Sequence, residues 1–247
     1  MEKIRYGLKL WSDNIDLVAD VVAAHRDGHF DFVELYSNPA REPDYSALEA
    51  MKTVPVTIHA THSHGFHEFI IGDEQRKIWR QTIALADFFK SPIIVLHPGR
   101  LHTIESFKEN LAKIDDSRIH IENMAGRDIN NDPMFGQDMS DLLQLKNIKP
   151  ICFDLEKAIK AACYQNIDYK KYIGEALLKL KPEYFHISGG DCTSPVDQHL
   201  DLAEANFDLR WIKNALNALP RCSIVFETPK KDGLVNDLEN MAYFRGL

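Results

Sequence analysis

Short apolar stretches recur along the chain and alternate with longer segments whose apolar residues have helical spacing. The apolar stretches are rich in β-branched and aromatic residues and contain few polar positions. Runs of this kind are typical of strands buried on both faces of a parallel sheet. We predict eight strands, at residues 4–10, 32–36, 54–58, 93–96, 119–121, 151–153, 184–187 and 223–226.

Helical patterns separate most of these strands. We predict helices at residues 15–24, 73–89, 104–114, 139–145, 169–180 and 209–219, with weaker patterns at 45–51 and 235–244. Strands that alternate with helices form βαβ units, and eight units in 247 residues are what a closed (β/α)8 barrel requires. An open doubly wound sheet would usually carry a glycine-rich phosphate loop, and neither GxGxxG nor GxxxxGK[ST] is present.

The composition is that of an ordinary globular protein, with 45% hydrophobic and 27% charged residues. No linker or change of composition divides the chain, so we predict one α/β domain, a TIM barrel over residues 1–247. The net charge of −8 gives no overall basic character that would direct the chain to nucleic acid or to an anionic membrane. No apolar run has the length of a membrane span, and the first residues lack the pattern of a signal peptide. We therefore expect a cytoplasmic protein with no membrane partner and no obligatory protein partner.

Six consecutive predicted strands end in a histidine or an acidic residue. These residues are His59, His97, Glu122, Asp154, His186 and Glu227. In a TIM barrel the C-terminal strand ends surround one open face, so side chains far apart in sequence meet there. Carboxylates gathered at an apolar interior carry a desolvation cost that cations can offset. Nitrogen and oxygen ligands without thiolates suit Zn²⁺, Mn²⁺ or Fe²⁺, and we predict a centre with two or more divalent ions.

One further pair fits this interpretation. Asp197 and His199 stand two positions apart in the segment after the seventh strand. In an extended loop such residues point to the same side, so both could contact one additional cation.

These residues resemble those of the endonuclease IV branch of the xylose isomerase-like TIM barrels, also called AP endonuclease family 2. The matching segments are HPG at 97–99, ENMAG at 122–126, CFD at 152–154, VDQH at 196–199 and FET at 226–228. The resemblance implies a first metal ion at His59, His97 and Glu122, a second shared by Glu122 with Asp154, His186 and Glu227, and a third at Asp197 and His199. It implies two or three zinc ions, with Mn²⁺ as the alternative metal.

The sequence departs from the family pattern at several positions. Lys157 stands where the family has a histidine ligand of the third metal, and Lys9 stands near the place of a first-strand histidine. A protonated ammonium cannot ligate a cation. We hypothesise that Lys157 pairs with Asp197 and substitutes for the third ion. The alternative is that Lys157 points into solvent, as most lysines do.

Two reaction classes follow from these residues. In the first, the protein is a metal-dependent phosphodiester hydrolase that acts on abasic DNA, with Glu122 bridging the metals and Glu227 positioning the attacking hydroxide. In the second, it is a sugar isomerase or epimerase in which one Mn²⁺ binds a small sugar. Glu122 and Glu227 would then exchange a proton beside the sugar carbonyl. A third interpretation is a degenerate barrel that binds metal but has lost its chemistry.

Overall fold

Eight parallel strands close into a barrel in the computed structural model, which describes residues 4–100, 103–128 and 130–247. Each strand pairs with the next one along the chain, and the last pairs with the first. The strands are β1 (Ile4–Trp11), β2 (Phe32–Tyr36), β3 (Val56–His59), β4 (Ile94–Leu96), β5 (Ile119–Glu122), β6 (Ile151–Asp154), β7 (Tyr184–Ile187) and β8 (Cys222–Phe226). The predicted single-domain TIM barrel is confirmed.

Helices follow the strands on the outside of the barrel, as expected for βαβ units. The α-helices are α1 (Val18–Arg26), α2 (Tyr45–Leu48), α3 (Asp73–Phe89), α4 (Ile104–Leu111), α5 (Met139–Lys146), α6 (Leu155–Tyr164), α7 (Tyr169–Leu180), α8 (Leu209–Asn217) and α9 (Val235–Gly246). Short 3-10 turns lie at Ile15–Leu17, Glu49–Thr53 and Leu202–Glu204. Within the described ranges, every helix is too short or too polar to cross a membrane.

The sequence prediction misses one element, the helix α6. This helix begins directly after β6, with Asp154 as its N-cap, so no polar loop separates strand from helix. Most of its residues are buried, including Glu156, Lys157 and Lys160, and this hides the usual alternation of apolar and polar faces. The missed helix carries Lys157 into the barrel mouth.

The interior of the barrel is apolar at its base and charged above it. A buried cluster at the base contains Phe32, Val95, Cys152, Tyr184 and Val225. Residues two apart on a strand share a face. The next inward positions on four of the same strands are Glu34, Asp154, His186 and Glu227. The charged groups therefore gather near the C-terminal strand ends, where active sites of TIM barrels lie.

Candidate metal centre

The carboxylate of Glu122, at the end of β5, is fully buried at the middle of the charged cluster. Its Oε2 lies 2.7 Å from Nε2 of His97 and 3.2 Å from Nε2 of His59. Its Oε1 lies 2.6 Å from Nζ of Lys157 and 3.0 Å from Nδ1 of His186. One carboxylate thus separates two halves of the centre. We call them the histidine half (His59, His97 and Oε2 of Glu122) and the lysine half (Lys9, Lys157, His186 and the carboxylates that they contact).

In the histidine half, both rings can present a nitrogen lone pair. Nδ1 of His59 donates a hydrogen bond to the carbonyl of Ala60 at 2.7 Å, which leaves Nε2 to face Glu122. Metal-binding histidines typically fix their second nitrogen in this way. Burial, aided by the charge of Lys157, lowers the pKa of His97 to about 4 against the influence of Glu122. The His97 ring is therefore neutral at neutral pH.

These three groups fit a divalent cation. Their candidate ligand atoms all lie within 4.8 Å of one another. Bonds of about 2.0–2.1 Å in a tetrahedral zinc site separate the ligand atoms by about 3.3 Å. The contacts of Glu122 to His59 and His97 are close to this separation, so a small adjustment would admit the ion.

In the lysine half, buried ammonium groups already contact the carboxylates. Lys9 lies 2.6 Å from both Glu34 and Glu227. Lys157 lies 2.6 Å from Glu122 and 3.5 Å from Asp154. Burial opposes the charge on both lysines, but the surrounding carboxylates outweigh it and hold the pKa of each above its ordinary value. These lysines give the lysine half a fixed positive charge.

The ring of His186 lies between carboxylates. Its Nε2 lies 3.1 Å from Glu34, and its Nδ1 lies 3.0 Å from Glu122 and 3.3 Å from Glu227. Burial disfavours the charged ring, but the neighbouring carboxylates outweigh burial and raise the pKa of His186 well above its ordinary value.

Two sets of hydrogen bonds to backbone groups hold Asp154 and Lys157 in place. The Asn123 side chain donates to the Asp154 carbonyl at 2.9 Å and accepts from its amide at 2.6 Å, which joins β5 to β6 above the ladder. Oδ1 of Asp154 caps α6 by accepting from the Lys157 amide at 2.8 Å. Burial is the main reason that the pKa of Asp154 rises to about 6 despite the nearby ammonium of Lys157. The cap places Lys157 one helical turn after Asp154, and the Lys157 side chain lies near the Asp154 carboxylate.

The structure contradicts the solvent-exposed alternative for Lys157 and the direct contact with Asp197 that the first hypothesis expects. The residue is only 2% exposed, so it does not point into solvent. Among the described residues its carboxylate partners are Glu122 and Asp154, and the expected ion pair with Asp197 is not formed. The reason is the start of α6, which directs the side chain inward over Asp154.

Asp197 and His199 do come together, beside rather than within the two halves. Oδ2 of Asp197 lies 3.0 Å from Nε2 of His199, whose Nδ1 lies 3.1 Å from the backbone carbonyl of Glu227. His199 has a φ of 49°, in the left-handed region that non-glycine residues rarely adopt. The predicted third-site residues therefore form an ion pair at the edge of the centre.

Sequence reasoning missed Glu34 and the role of Lys9. Their Cα atoms are partners in the register of β1 and β2, and both side chains point into the barrel. Oε2 of Glu34 also accepts from the hydroxyl of Tyr184 at 2.7 Å. A signal was present for Glu34, which is the one charged residue in the predicted strand at 32–36.

A cavity of about 650 Å³ opens onto both halves. Its floor includes His59 and His97 from the histidine half and Lys9 and Lys157 from the lysine half. Trp11 forms part of the rim and is 51% exposed, with its ring 5.5 Å from that of Tyr36. The cavity has the size of a small-molecule site, and an aromatic surface lines one wall.

The model of the family described as xylose isomerase-like TIM barrel matches residues 21–245. The chain belongs to this family. The resemblance stated from the sequence is thereby confirmed, and members of the superfamily are enzymes. Among curated proteins, none matches this sequence.

Solved structures of related barrels cover almost the whole chain. Endonuclease IV from Thermus thermophilus is 21% identical, with 98% of each chain covered and a TM-score of 0.73. A xylose isomerase domain-containing protein from Salmonella typhimurium is 14% identical, with 100% of this chain and 96% of that chain covered and a TM-score of 0.62. A xylose isomerase domain protein from Planctomyces limnophilus is 13% identical, with 98% and 97% covered and a TM-score of 0.59. At these identities the likeness shows the fold and not the reaction.

Proposed function

We propose that this barrel is a metal-dependent phosphodiester hydrolase of the endonuclease IV type, with zinc as the cofactor. The observation that carries the proposal is the histidine half, where the rings of His59 and His97 converge on one oxygen of Glu122 at the floor of the cavity. An epimerase that binds one ion through Glu122, Asp154, His186 and Glu227 has no use for these two histidines. When bound, the cation would polarise a phosphoryl oxygen and acidify a water molecule.

The remaining groups at the floor suit a phosphate diester. Lys157 and Lys9 line the cavity with charge that is fixed by buried partners, and such preorganised charge can stabilise an anionic transition state. Glu227 also faces the cavity and would orient the attacking water. Glu122 would hold the geometry, because both histidines and Lys157 depend on its two oxygens.

A sugar isomerase or epimerase is the second candidate. It is favoured by the cavity, whose volume suits a small molecule and whose rim carries Trp11, a side chain suited to stack on a sugar ring. The net charge of −8 also suits a neutral substrate better than duplex DNA, which is bound through phosphate contacts. In this reaction Glu122 and Glu227 would transfer the proton.

A direct comparison of two assays tests the proposal. Untagged protein reconstituted with Zn²⁺ is incubated with a duplex that contains one abasic site, and separately with ketose sugars in the presence of Zn²⁺ or Mn²⁺. We expect strand cleavage at the abasic site and no sugar turnover. Epimerisation without cleavage would establish the second candidate instead, and inactivity in both assays would indicate a barrel that binds metal without this chemistry.

His97→Ala separates the two candidates at the level of a residue. The substitution should abolish cleavage, since it removes a ligand in the histidine half. It should leave an epimerase active, because the four-residue set at Glu122, Asp154, His186 and Glu227 does not include it. The matched control is His25→Ala, which removes a histidine on α1 away from the cavity.

A further inference from the structure

The two halves of the centre differ in how their charges are met. We propose that this chain binds a single divalent cation, in the histidine half, and that Lys9 and Lys157 permanently provide the positive charge of the lysine half. The proposal rests on the proposed function only in taking that cation as the cofactor of the reaction.

Two of the three carboxylates that would form a second metal site in the lysine half are already hydrogen-bonded to an ammonium group. Oε1 of Glu122 is 2.6 Å from Lys157, and Oε1 of Glu227 is 2.6 Å from Lys9. Asp154 uses one oxygen to cap α6 and has Lys157 at 3.5 Å from the other. A second ion would have to displace these ammonium groups from carboxylates that are almost entirely buried.

The spacing of the carboxylates and the histidine does not by itself oppose a second ion. The candidate ligand atoms of Glu122, Asp154, His186 and Glu227 lie within 4.8 Å of one another. The groups that oppose the ion are the ammonium groups of Lys9 and Lys157, each 2.6 Å from one of these carboxylates.

The charge of Lys157 also disfavours a second ion at Oε1 of Glu122. Its ammonium approaches that oxygen as closely as a hydrogen bond allows, and the surroundings are nearly free of solvent. Two positive groups on one carboxylate oxygen repel strongly where water cannot screen them. Oε2 faces His59 and His97, so an ion there shares the carboxylate without sharing the oxygen, and Lys157 lies further away, 3.5 Å from Nε2 of His97.

Metal counting tests the proposal without any substrate. Untagged wild-type protein is dialysed against Zn²⁺ and its metal content is measured by inductively coupled plasma mass spectrometry. A parallel Co²⁺ titration is followed by visible absorption. We expect one ion per chain and a single end point. Two or more tightly held ions on the wild-type protein would overturn the proposal, as would the absence of any bound ion.

Lys157→Met tests the role of the ammonium, because methionine keeps much of the length and none of the charge. We expect the zinc content to rise from one to two ions per chain. The matched control is Lys160→Met, which removes another fully buried lysine one turn further along α6, where its carboxylate partner is Glu156. This control should stay at one ion. A Lys157→Met protein that also stays at one ion would show that the lysine does not exclude the second.

The design remains decisive if Lys157→Met folds poorly. Circular dichroism with and without Zn²⁺ would show a protein that folds only when the second ion replaces the lost charge, which supports the proposal. Lys157→His is the second variant, since it removes the fixed ammonium and adds a ligand, and it should also bind more than one ion. If both variants stay unfolded in the presence of zinc, the ion does not replace the ammonium and the proposal fails.

The single-ion proposal and the hydrolase proposal can be contradicted independently of each other. One ion per chain without strand cleavage would contradict the hydrolase proposal alone. Strand cleavage by a protein with two ions would contradict the single-ion proposal alone.

Discussion

The histidine half and the lysine half share Glu122 but meet its charge in different ways. Oε2 of Glu122 faces the rings of His59 and His97, whereas Oε1 faces the ammonium of Lys157. Glu34 and Glu227 face a second ammonium, that of Lys9. Strand-end positions bring the acids and histidines together, but two lysines that the strand-end pattern does not include make the difference between the halves.

The comparison also separates two kinds of positive charge. A metal ion can leave, be exchanged or be removed by a chelator, and its binding depends on deprotonated ligands. A buried lysine is permanent, and removing it leaves carboxylates without a partner. A centre that combined both would keep part of its positive charge without the metal, because Lys9 and Lys157 contact the buried carboxylates directly.

Glu122→Gln should have the largest effect, because the residue joins the two halves. We expect strand cleavage to fall by about 10³-fold, since losing several kcal/mol of transition-state stabilisation by a metal corresponds to a factor of this size. The amide keeps the shape of the side chain but cannot carry the shared charge. Steady-state cleavage with saturating zinc measures the effect.

Glu74→Gln is the control for this change, because Glu74 lies exposed on α3 and pairs only with Lys77 among the described residues. It should cleave at the wild-type rate. A Glu122→Gln protein that retains more than a tenth of the activity would show that the shared carboxylate is not central to the reaction.

His97→Ala and His186→Gln compare how much a histidine of each half contributes to zinc affinity. His97→Ala should weaken zinc binding at least about 100-fold, because it removes a direct ligand, while loss of an outer partner typically costs 10–100-fold. His186→Gln should weaken it about 10-fold. Competition with a fluorescent zinc chelator measures both affinities. Equal losses in the two variants, or a larger loss in His186→Gln, would contradict the division into halves.

The fold and much of this centre follow from the sequence, but the division into halves does not. Strand ends bring His59, His97 and Glu122 to one face because the geometry of a TIM barrel requires it. The direction of Lys157 depends on where α6 begins, and no turn marks that boundary in the sequence. The contact of Glu34 with Lys9 depends on the register of β1 and β2, and its contact with His186 brings in β7. Such contacts between distant segments cannot be predicted from local patterns in the sequence.

One more buried acid, beside the lysine half, extends the comparison to pH. Glu156 is fully buried on α6 next to Lys160, and burial, followed by the charge of Asp197, raises its pKa to about 10. The folded chain therefore retains a proton that the unfolded chain loses above its ordinary pKa of 4.5. The stability that this group contributes is fully present below about pH 4.5 and is lost as the pH rises toward 10.

Glu156→Gln mimics the protonated acid and should remove this loss. We expect the free energy of unfolding of the variant, relative to wild type, to increase by about 2 kcal/mol between pH 5.5 and pH 8.5. This is half of the limit that one proton sets over three pH units. Urea unfolding at the two pH values measures it. Glu175→Gln on α7, whose carboxylate is partly exposed, is the control and should show no such trend. A constant difference at both pH values would show that Glu156 is ionised in the folded protein.

The smallest expected effect lies at the cavity rim, on the side of the lysine half. Trp11 follows Lys9 by two residues on β1, is half exposed, and stacks obliquely on Tyr36. We expect Trp11→Ala to raise KM about 3–10-fold with little change in kcat, because an aromatic contact contributes about 0.5–1.5 kcal/mol. Tyr243→Ala is the control, since Tyr243 is similarly exposed on α9 but does not line the cavity. A fall in kcat with unchanged KM would instead indicate that the Trp11 ring supports Lys9 and the charges beneath it, and the rim would then belong functionally to the lysine half.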